Sequence, residues 1–187
     1  TKCDYEELIS GDKNAILFAA RILGYGAEYP IEVKDKYGKI IPVTLNLSEL
    51  KNKQIDESLF IPGKNEFNFI CPQSKVTVTF KLLTSNDELK IEAELKGLKK
   101  AFPQETFDIT VRLKHQILAV NGDSSADKIR YFVDNMMAMD SRALRKYINE
   151  ITPDLEMTFS YEDSKGDIVE GVSMPMNINF LWPDASL

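Results

Sequence analysis

The chain has 187 residues and a formal net charge of -6, which fits a soluble globular protein with room for one domain or two small ones. The negative charge argues against a general nucleic-acid binder, because binding to phosphates needs a concentrated positive field. With only two cysteines, Cys3 and Cys71, we expect no disulfide scaffold and a reducing compartment, and a single histidine, His115, is too few for a histidine-based metal site. The longest apolar run, residues 15–20, is too short to span a bilayer and no signal peptide precedes it, so a cytosolic protein or an assembly built in the cytosol is expected.

Residues 10–24 predict the first helix. Ser10 can cap its start, and Gly24 or Gly26 can end it in a left-handed turn. Four apolar residues recur at helical spacing and predict one buried face: Ile16, Leu17, Ala20 and Leu23.

Alternating residues predict a hairpin near each end of the chain. The first runs from Ile31 to Leu47 and turns at "KDKYGK", residues 34–39. The last runs from Leu155 to Phe180 and turns at "EDSKGD", residues 162–167. Both tips are charged and contain one glycine. Just after the first hairpin, "LSEL" predicts a short helical turn with Ser48 as its cap.

The middle of the chain predicts two strands, a helix and a longer strand. "EFNFICP" and "KVTVTFKLL" alternate as strands, whereas "SNDELKIEAELKGLKKAF" is rich in helix-forming residues and offers a Glu92–Lys96 ion pair. The alternation of residues 89–95 also permits a strand there. Residues 106–120 alternate well and end at the turn signal Asn121-Gly122, which predicts a long strand.

Two more helices are predicted before the last hairpin. They are "SADKIRYFVDNMMAM" and "DSRALRKYINEI", the second capped by Asp140 and ending before Pro153. The predicted fold is therefore α+β, with antiparallel hairpins and strands and about four helices. We expect one domain, 1–187, or two lobes of about 1–104 and 105–187.

The helix after Asp140 separates an apolar side from a basic side. The apolar residues are Leu144, Tyr147, Ile148 and Ile151; the opposite side carries Arg142, Arg145, Lys146 and Asn149. Surface helices commonly have a solvated charged face, so this pattern alone fits either that role or docking to an acidic patch on another protein.

Two further groups of residues have both a structural and a binding interpretation. Trp182, the only tryptophan, either closes the core or forms an exposed aromatic anchor for a partner. Met136, Met137 and Met139 either pack in the core or line an adaptable binding surface.

No residue pattern predicts catalysis. A glycine-rich phosphate loop, a GxSxG elbow and an HExxH helix are all missing from the sequence. The remaining enzyme hypothesis is a hydrolase that uses His115 with Cys71 or an acid brought close by folding.

Four blocks of the sequence resemble the T-even bacteriophage baseplate hub assembly proteins of contractile-tailed phages. In chain order they are "DYEELISGDKNAILFAARILGYGAEY", "VTVTFKLLTSNDE", "MMAMDSRALRKYINEITPDLEM" and "NFLWPD". The resemblance implies a non-enzymatic hub assembly chaperone or hub structural subunit, without a cofactor, a small-molecule substrate or a membrane. Its implied partners are other phage baseplate hub and tail proteins, and its implied location is the host cytoplasm during assembly or the tail baseplate of the virion. The partner surface is expected at Arg142, Arg145, Lys146 and Trp182.

The resemblance also bears on the two hairpin tips. Related sequences place a Cys-Pro-x-Cys-Gly motif there, and two such motifs can hold one zinc ion in a zinc ribbon. In this chain the corresponding positions are Lys34, Tyr37, Glu162 and Lys165, so the thiolates are lost and no metal is expected. We expect the two degenerate zinc-ribbon-like hairpins to lie side by side, with Lys34 or Lys36 facing Glu162 or Asp163. A nucleic-acid-binding module derived from a zinc ribbon is the alternative.

Overall fold

The structure is a computed structural model that describes residues 4–176 and 178–182. The α-helices are α1 (Ser10–Tyr25), α2 (Ser85–Ala101), α3 (Asp108–Gln116), α4 (Ala126–Asp134), α5 (Ala138–Ile151) and the one-turn α6 (Ile178–Leu181). The strands are β1 (Glu28–Lys34), β2 (Ile40–Asn46), β3 (Phe67–Ile70), β4 (Thr77–Phe80), β5 (Ile117–Val120), β6 (Thr158–Glu162) and β7 (Ile168–Ser173). Short 3-10 helices cover Tyr5–Glu7, Leu47–Glu49 and Glu57–Leu59. All strand pairs are antiparallel, in sheets β1-β2, β3-β4-β5 and β6-β7. The predicted α+β class is confirmed.

The chain divides into two compact units, and each is built from separate pieces of sequence. The described part of the first unit comprises residues 4–10 and 55–152, and that of the second comprises residues 11–54 and 153–182. These units differ from the predicted lobes, 1–104 and 105–187. The prediction divided the chain by sequence order, whereas the first and last hairpins belong to the same unit.

The first unit is built around β4, the central strand of the three-stranded sheet. Val78 and Phe80 of β4 are fully buried, and the rings of Phe80 and Tyr147 on α5 pack in a T-shaped arrangement. Leu144 of α5 is also fully buried in this cluster. The amphipathic pattern predicted for α5 is thus confirmed on its apolar side.

Helix α2 also belongs to this unit and forms as predicted. A capping box at Thr84 and Asp87 opens it, and Glu92 pairs with Lys96 at 2.7 Å. The alternative strand over residues 89–95 is therefore wrong.

The long strand predicted over residues 106–120 is wrong for most of its length. The structure has helix α3 there, and only the last four residues form a strand, β5. The alternating apolar residues suggested a strand with one buried face. Val111 and Leu113 are indeed buried, but Ile109, which would lie on the same face of that strand, is about half exposed. Asp108 in the first turn and Lys114 in the last turn complement the helix dipole, a signal that the alternation concealed.

Helix α5 begins two residues before the predicted cap, so the assignment of Asp140 as N-cap is wrong. Met137 occupies that position. Asp140 is buried instead, and its carboxylate accepts hydrogen bonds from the backbone N–H groups of Gln73 (2.7 Å) and Ser74 (3.0 Å). Burial raises the pKa of Asp140, but these donors outweigh burial and hold its pKa below the ordinary value. The side chain therefore joins α5 to the turn between β3 and β4.

The second unit packs both terminal hairpins around a cluster of aromatic residues. Phe180 is almost fully buried and packs edge-to-face with Phe18 and Tyr29, with 4.9 and 5.1 Å between the ring centres. The Tyr29 hydroxyl donates to the Pro175 carbonyl at 2.9 Å. Both predicted hairpins form, but the last one ends at Ser173 rather than at Phe180, which lies in α6. The 3-10 turn after the first hairpin is capped by Asn46 rather than by Ser48.

Helix α1 starts and ends close to the predicted bounds, but its predicted buried face is wrong. Phe18 and Arg21 are the side chains it buries, whereas Ile16, Ala20 and Leu23 are exposed. The helix is apolar nearly all round, so apolar spacing could not identify the side that packs. Gly26, with a φ of +84°, ends it in the left-handed turn that was predicted.

The start of α1 packs tightly against the segment that leads to the last hairpin. Gly11 is buried, and a Cβ at this position would overlap the carbonyl oxygen of Pro153. One turn later, the Asn14 side chain donates to Asp154 at 2.9 Å. Only a glycine allows this approach of the two backbones.

Candidate functional site

The two hairpin tips of the second unit lie side by side, as predicted. The first tip, residues 34–39, connects β1 to β2, and the second tip, residues 162–167, connects β6 to β7. Direct contacts join them across 129 and 131 positions of sequence. This pair of tips, here called the paired tips, joins the first hairpin of the chain to the last.

Both tips have the same internal structure, built on an aspartate three residues before a glycine. Asp35 Oδ1 accepts from the N–H groups of Tyr37 (2.9 Å) and Lys39 (2.8 Å). Asp163 Oδ1 accepts from the N–H groups two and four residues later, at 2.9 and 3.0 Å. Gly38 and Gly166 follow with φ angles of +83° and +87°, in the left-handed region that favours glycine. The two tips are thus structural repeats.

The tips also contact each other reciprocally. Lys36 Nζ lies 3.0 Å from Asp163 Oδ2, and the N–H of Ser164 donates to Asp35 Oδ2 at 3.3 Å. In each case, the residue after one aspartate contacts the aspartate of the other tip. The contacts therefore follow an approximate two-fold axis between the tips.

Tyr37 and Lys165 meet near that axis. They occupy equivalent places in the two tips, and Lys165 Nζ lies 3.9 Å from the centre of the Tyr37 ring, in cation-π geometry. Lys36 adds a second ion pair, 3.4 Å from Asp167.

The charges of the paired tips stabilise one another. Hydrogen bonds from Ser164 and from the backbone of its own turn lower the pKa of Asp35 from 3.8 to about 2. The Lys165 backbone N–H and the Lys36 ammonium lower the pKa of Asp163, and Asp163 in turn raises the pKa of Lys36. All three groups are therefore charged at neutral pH.

The four predicted former cysteine positions do not fit a zinc ion. Tyr37 and Lys165 contact each other, while Lys34 and Glu162 are the last residues of β1 and β6. This set offers no thiolate or imidazole, the ligands that structural zinc prefers, and two of its members carry ammonium groups. The relation of the paired tips to a zinc ribbon stays a prediction.

Within residues 4–176 and 178–182, no group of three or more histidine, cysteine or acidic side chains is placed to bind a metal ion. None of the helices in the same part of the chain has the length and apolar character needed to cross a bilayer.

The predicted basic face of α5 is exposed. Arg142, Arg145 and Lys146 all lie on the solvent side of the helix, and we call these three residues the basic stripe. Lys146 pairs with Glu150 at 3.5 Å, and Arg145 Nε donates to the Ser141 carbonyl at 3.3 Å. The guanidinium groups of Arg142 and Arg145 are thus placed to meet carboxylates of another molecule.

Trp182 is exposed, so it does not close the core, and Phe180 is buried there instead. Trp182 directly follows α6 and is 59% exposed, whereas Phe180 is 2% exposed. An exposed tryptophan of this kind suits an anchor for a partner. The remaining residues of the predicted motif, Pro183 and Asp184, lie outside the described residues.

The two residues of the enzyme hypothesis have other surroundings. His115 lies on α3, with its Nε2 2.8 Å from Glu94 Oε2. Cys71 is fully buried, and burial together with the Asp140 carboxylate raises the pKa of its thiol. A buried thiol with a raised pKa is a poor nucleophile. Cys3 lies outside the described residues.

The three methionines around the start of α5 divide between core and surface. Met136 packs partly against the core of the first unit, while Met137 and Met139 are more than half exposed. Met136 and Met137 also line an open cavity of about 250 Å³ that includes Tyr131. This volume lies below the roughly 300–1,000 Å³ typical of small-molecule sites.

The two aspartates that hold the tips together were not both predicted from the sequence. Asp163 was expected only as one possible ion-pair partner, and Asp35 was not among the predicted residues. A signal for both exists, because an aspartate stands three residues before the glycine in each tip. Of the expected ion pairs, the one between Lys36 and Asp163 is confirmed.

Comparisons of the chain with protein-family models, curated proteins and solved structures found no match.

Proposed function

We propose that this protein is a non-enzymatic bacteriophage tail baseplate protein, either a hub assembly chaperone or a hub structural subunit, that acts through protein–protein contacts. The resemblance of four sequence blocks to the baseplate hub assembly proteins supports the proposal, and these blocks are distributed between residues 4 and 184. Other hub and tail proteins would be its partners, in the host cytoplasm during assembly or in the virion.

The exposed basic stripe of α5 carries this proposal. The opposite side of the helix is buried in the core of the first unit, so the stripe can be changed without changing the packing. Arginine pairs with carboxylates in a planar, two-pronged geometry, which suits recognition of an acidic patch on a partner. Trp182, in the second unit, offers a separate aromatic contact.

A charge-reversal experiment tests the stripe. The variant is Arg142→Glu/Arg145→Glu, and its matched control is Lys99→Glu/Lys100→Glu, which reverses two exposed charges on α2. Each is expressed with a tag in cells that produce the tail proteins. We expect the stripe variant to recover several-fold less hub protein than the control, because repelled interface charges weaken association. Quantitative mass spectrometry of the co-purified proteins measures the recovery.

Circular dichroism melting of the same variants gives the structural control. Both should unfold at the temperature of the unmodified chain within a few degrees. Equal recovery of hub proteins by the two variants would contradict docking through the stripe. Loss of the thermal transition in the stripe variant would instead show that these arginines stabilise the fold.

Purified virions distinguish the two roles. A structural subunit should give abundant, stoichiometric peptides of this chain in virion mass spectrometry, whereas a chaperone should be found only on assembly intermediates.

For the paired tips we propose a metal-free form of a zinc-ribbon-like hairpin pair. The matching turns and their reciprocal contacts support it.

A further inference from the structure

The turn after β5 contains the only Asn-Gly pair of the chain, Asn121-Gly122. Both residues are exposed, and their φ angles are +51° and +81°. Val120 and Asp123, on either side, exchange backbone hydrogen bonds of 2.9 and 3.1 Å. Two consecutive positive φ angles between hydrogen-bonded residues are typical of a type I′ turn, for which Asn-Gly is a preferred sequence.

Asn121 also attaches this turn to β4. Its side-chain Oδ1 accepts from the N–H of Thr77 at 2.9 Å, and its own backbone N–H donates to the Thr77 carbonyl at 2.8 Å. The preceding residue, Val120, is 2% exposed and belongs to the core of the first unit. Asn121 therefore holds the end of β5 against the start of β4.

The backbone nitrogen of Gly122 is open to reaction. Its N–H makes no hydrogen bond within residues 4–176 and 178–182, and a Cβ at this position would meet open space. Glycine has no side chain that could shield this nitrogen. Because Gly122 directly follows Asn121, attack of its nitrogen on the side-chain carbonyl carbon of Asn121 closes a five-membered ring.

We propose that Asn121 is a site of spontaneous deamidation. The Gly122 nitrogen loses its proton and forms a bond to Cγ of Asn121, while the bond from Cγ to the side-chain nitrogen breaks and ammonia leaves. Water then opens the resulting succinimide at either of its two carbonyl carbons. One opening gives aspartate, and the other gives isoaspartate, in which the backbone runs through the former side chain. Water is the only co-reactant, and nothing is oxidised or reduced.

The fold restrains this reaction without preventing it. The hydrogen bond from Thr77 holds the Asn121 side chain and must break before the ring can close. A single exposed hydrogen bond is a modest restraint, because water replaces it when it opens. The unfolded chain lacks even this restraint. The folded chain should therefore deamidate at Asn121, but more slowly than the unfolded chain.

The two products differ in their effect on the sheet. Aspartate keeps an oxygen that accepts from Thr77, and it adds a negative charge to the open cavity that Asn121 and Lys128 line. Isoaspartate lengthens the backbone by one carbon, so a two-residue turn no longer keeps Val120 and Asp123 in register. Formation of isoaspartate therefore loosens the end of β5.

Peptide mapping of the aged protein tests the site. The purified chain is incubated in mildly alkaline buffer, either folded or in urea, and mass spectrometry quantifies the products. Asn68 is the internal control, since it is exposed and its Oδ1 accepts from Thr79 at 2.8 Å, but a phenylalanine follows it. In the folded chain Asn121 should deamidate at least about tenfold faster than Asn68, because glycine leaves the attacking nitrogen unshielded. In urea, where the fold has no influence, Gly122→Ala should slow the reaction at Asn121.

Circular dichroism melting tests the effect on the sheet. Asn121→Asp, which reproduces one product, should melt within a few degrees of the unmodified chain. The isoaspartate-rich fraction of the aged chain, separated by ion exchange, should melt several degrees lower. Every measurement uses the purified chain alone, so its result is independent of the proposed phage function.

Two results would overturn the site. One is a folded chain without isoaspartate at position 121 after a time that converts the unfolded chain, and the other is equal rates at Asn121 and Asn68 in the folded chain. Equal melting of the isoaspartate-rich fraction and the unmodified chain would overturn the effect on β5.

Discussion

Asp35 and Asp163 each use their two carboxylate oxygens for different tasks. Oδ1 holds the turn of its own hairpin, and Oδ2 reaches the other hairpin. Each aspartate side chain therefore stabilises both the turn of its own hairpin and the contact with the other hairpin. An asparagine can keep part of the turn, but its neutral side chain cannot attract Lys36 in the same way.

The paired tips predict a loss of stability in acid. The pKa of Asp35 is about 2 in the folded chain and 3.8 ordinarily, and the pKa of Asp163 is also lowered. A lowered folded pKa stabilises the fold above the ordinary pKa, and this stabilisation is lost as the pH falls towards the folded value. The unfolding temperature should therefore fall between pH 3.8 and about 2.

Circular dichroism melting against pH measures this effect. Asp35→Asn/Asp163→Asn should melt a few degrees lower than the unmodified chain at pH 7 and should approach it near pH 2. Asp127→Asn, which removes an exposed carboxylate on α4, should follow the unmodified chain throughout. Parallel pH profiles of the double variant and the unmodified chain would show that these aspartates do not stabilise the tips.

Gly11 is a second residue with a specific requirement. In Gly11→Ala the new Cβ would overlap the Pro153 carbonyl, so a backbone must move. We expect a loss of about 1–3 kcal/mol in the free energy of unfolding, as for an overpacked core. In Gly97→Ala, inside α2, the Cβ meets open space, and a gain of up to about 1 kcal/mol is expected. Urea titration of both variants measures the difference, and equal stabilities would contradict the close packing of Gly11.

At the scale of elements, Asp140 joins α5 to the β3-β4 turn. Asp140→Ala leaves the N–H groups of Gln73 and Ser74 without their acceptor, and should cost about 1–3 kcal/mol. Asp140→Asn keeps one acceptor oxygen and should cost less. Met139→Ala, an exposed change on the same helix, should stay within about 0.5 kcal/mol. Urea titration ranks the three variants, and a harmless Asp140→Ala would contradict the role of this carboxylate.

Elements with strong local signals could be predicted from the sequence. The glycine turns fixed both hairpins, and the capping pair Thr84 and Asp87 fits the predicted helix α2. Helix α3 could not be recognised, because the same apolar residues satisfy both a strand and a short helix, and tertiary packing decides between them. The buried side of α1 could not be predicted either, because the helix carries apolar residues on nearly all of its sides.

For the whole molecule, contacts between distant parts of the sequence limit what a single sequence can reveal. The prediction placed the tips together through a family resemblance, yet it divided the chain where sequence order suggested. The residues that hold the tips, Asp35 and Lys36 against Asp163 and Ser164, are ordinary turn residues when each hairpin is considered alone. Their joint role becomes visible only when both hairpins are placed in the second unit.

The split second unit has a consequence for synthesis on the ribosome. Residues 55–152, most of the first unit, leave the ribosome before the last hairpin does, so the first unit can fold while the chain is still growing. Part of the apolar surface of residues 11–54 stays exposed until residues 153–182 have been synthesised and can pack against it. The nascent chain therefore passes through a stage in which its earliest hairpin is made but not yet paired, and that stage is the one most exposed to chaperones, proteases and aggregation.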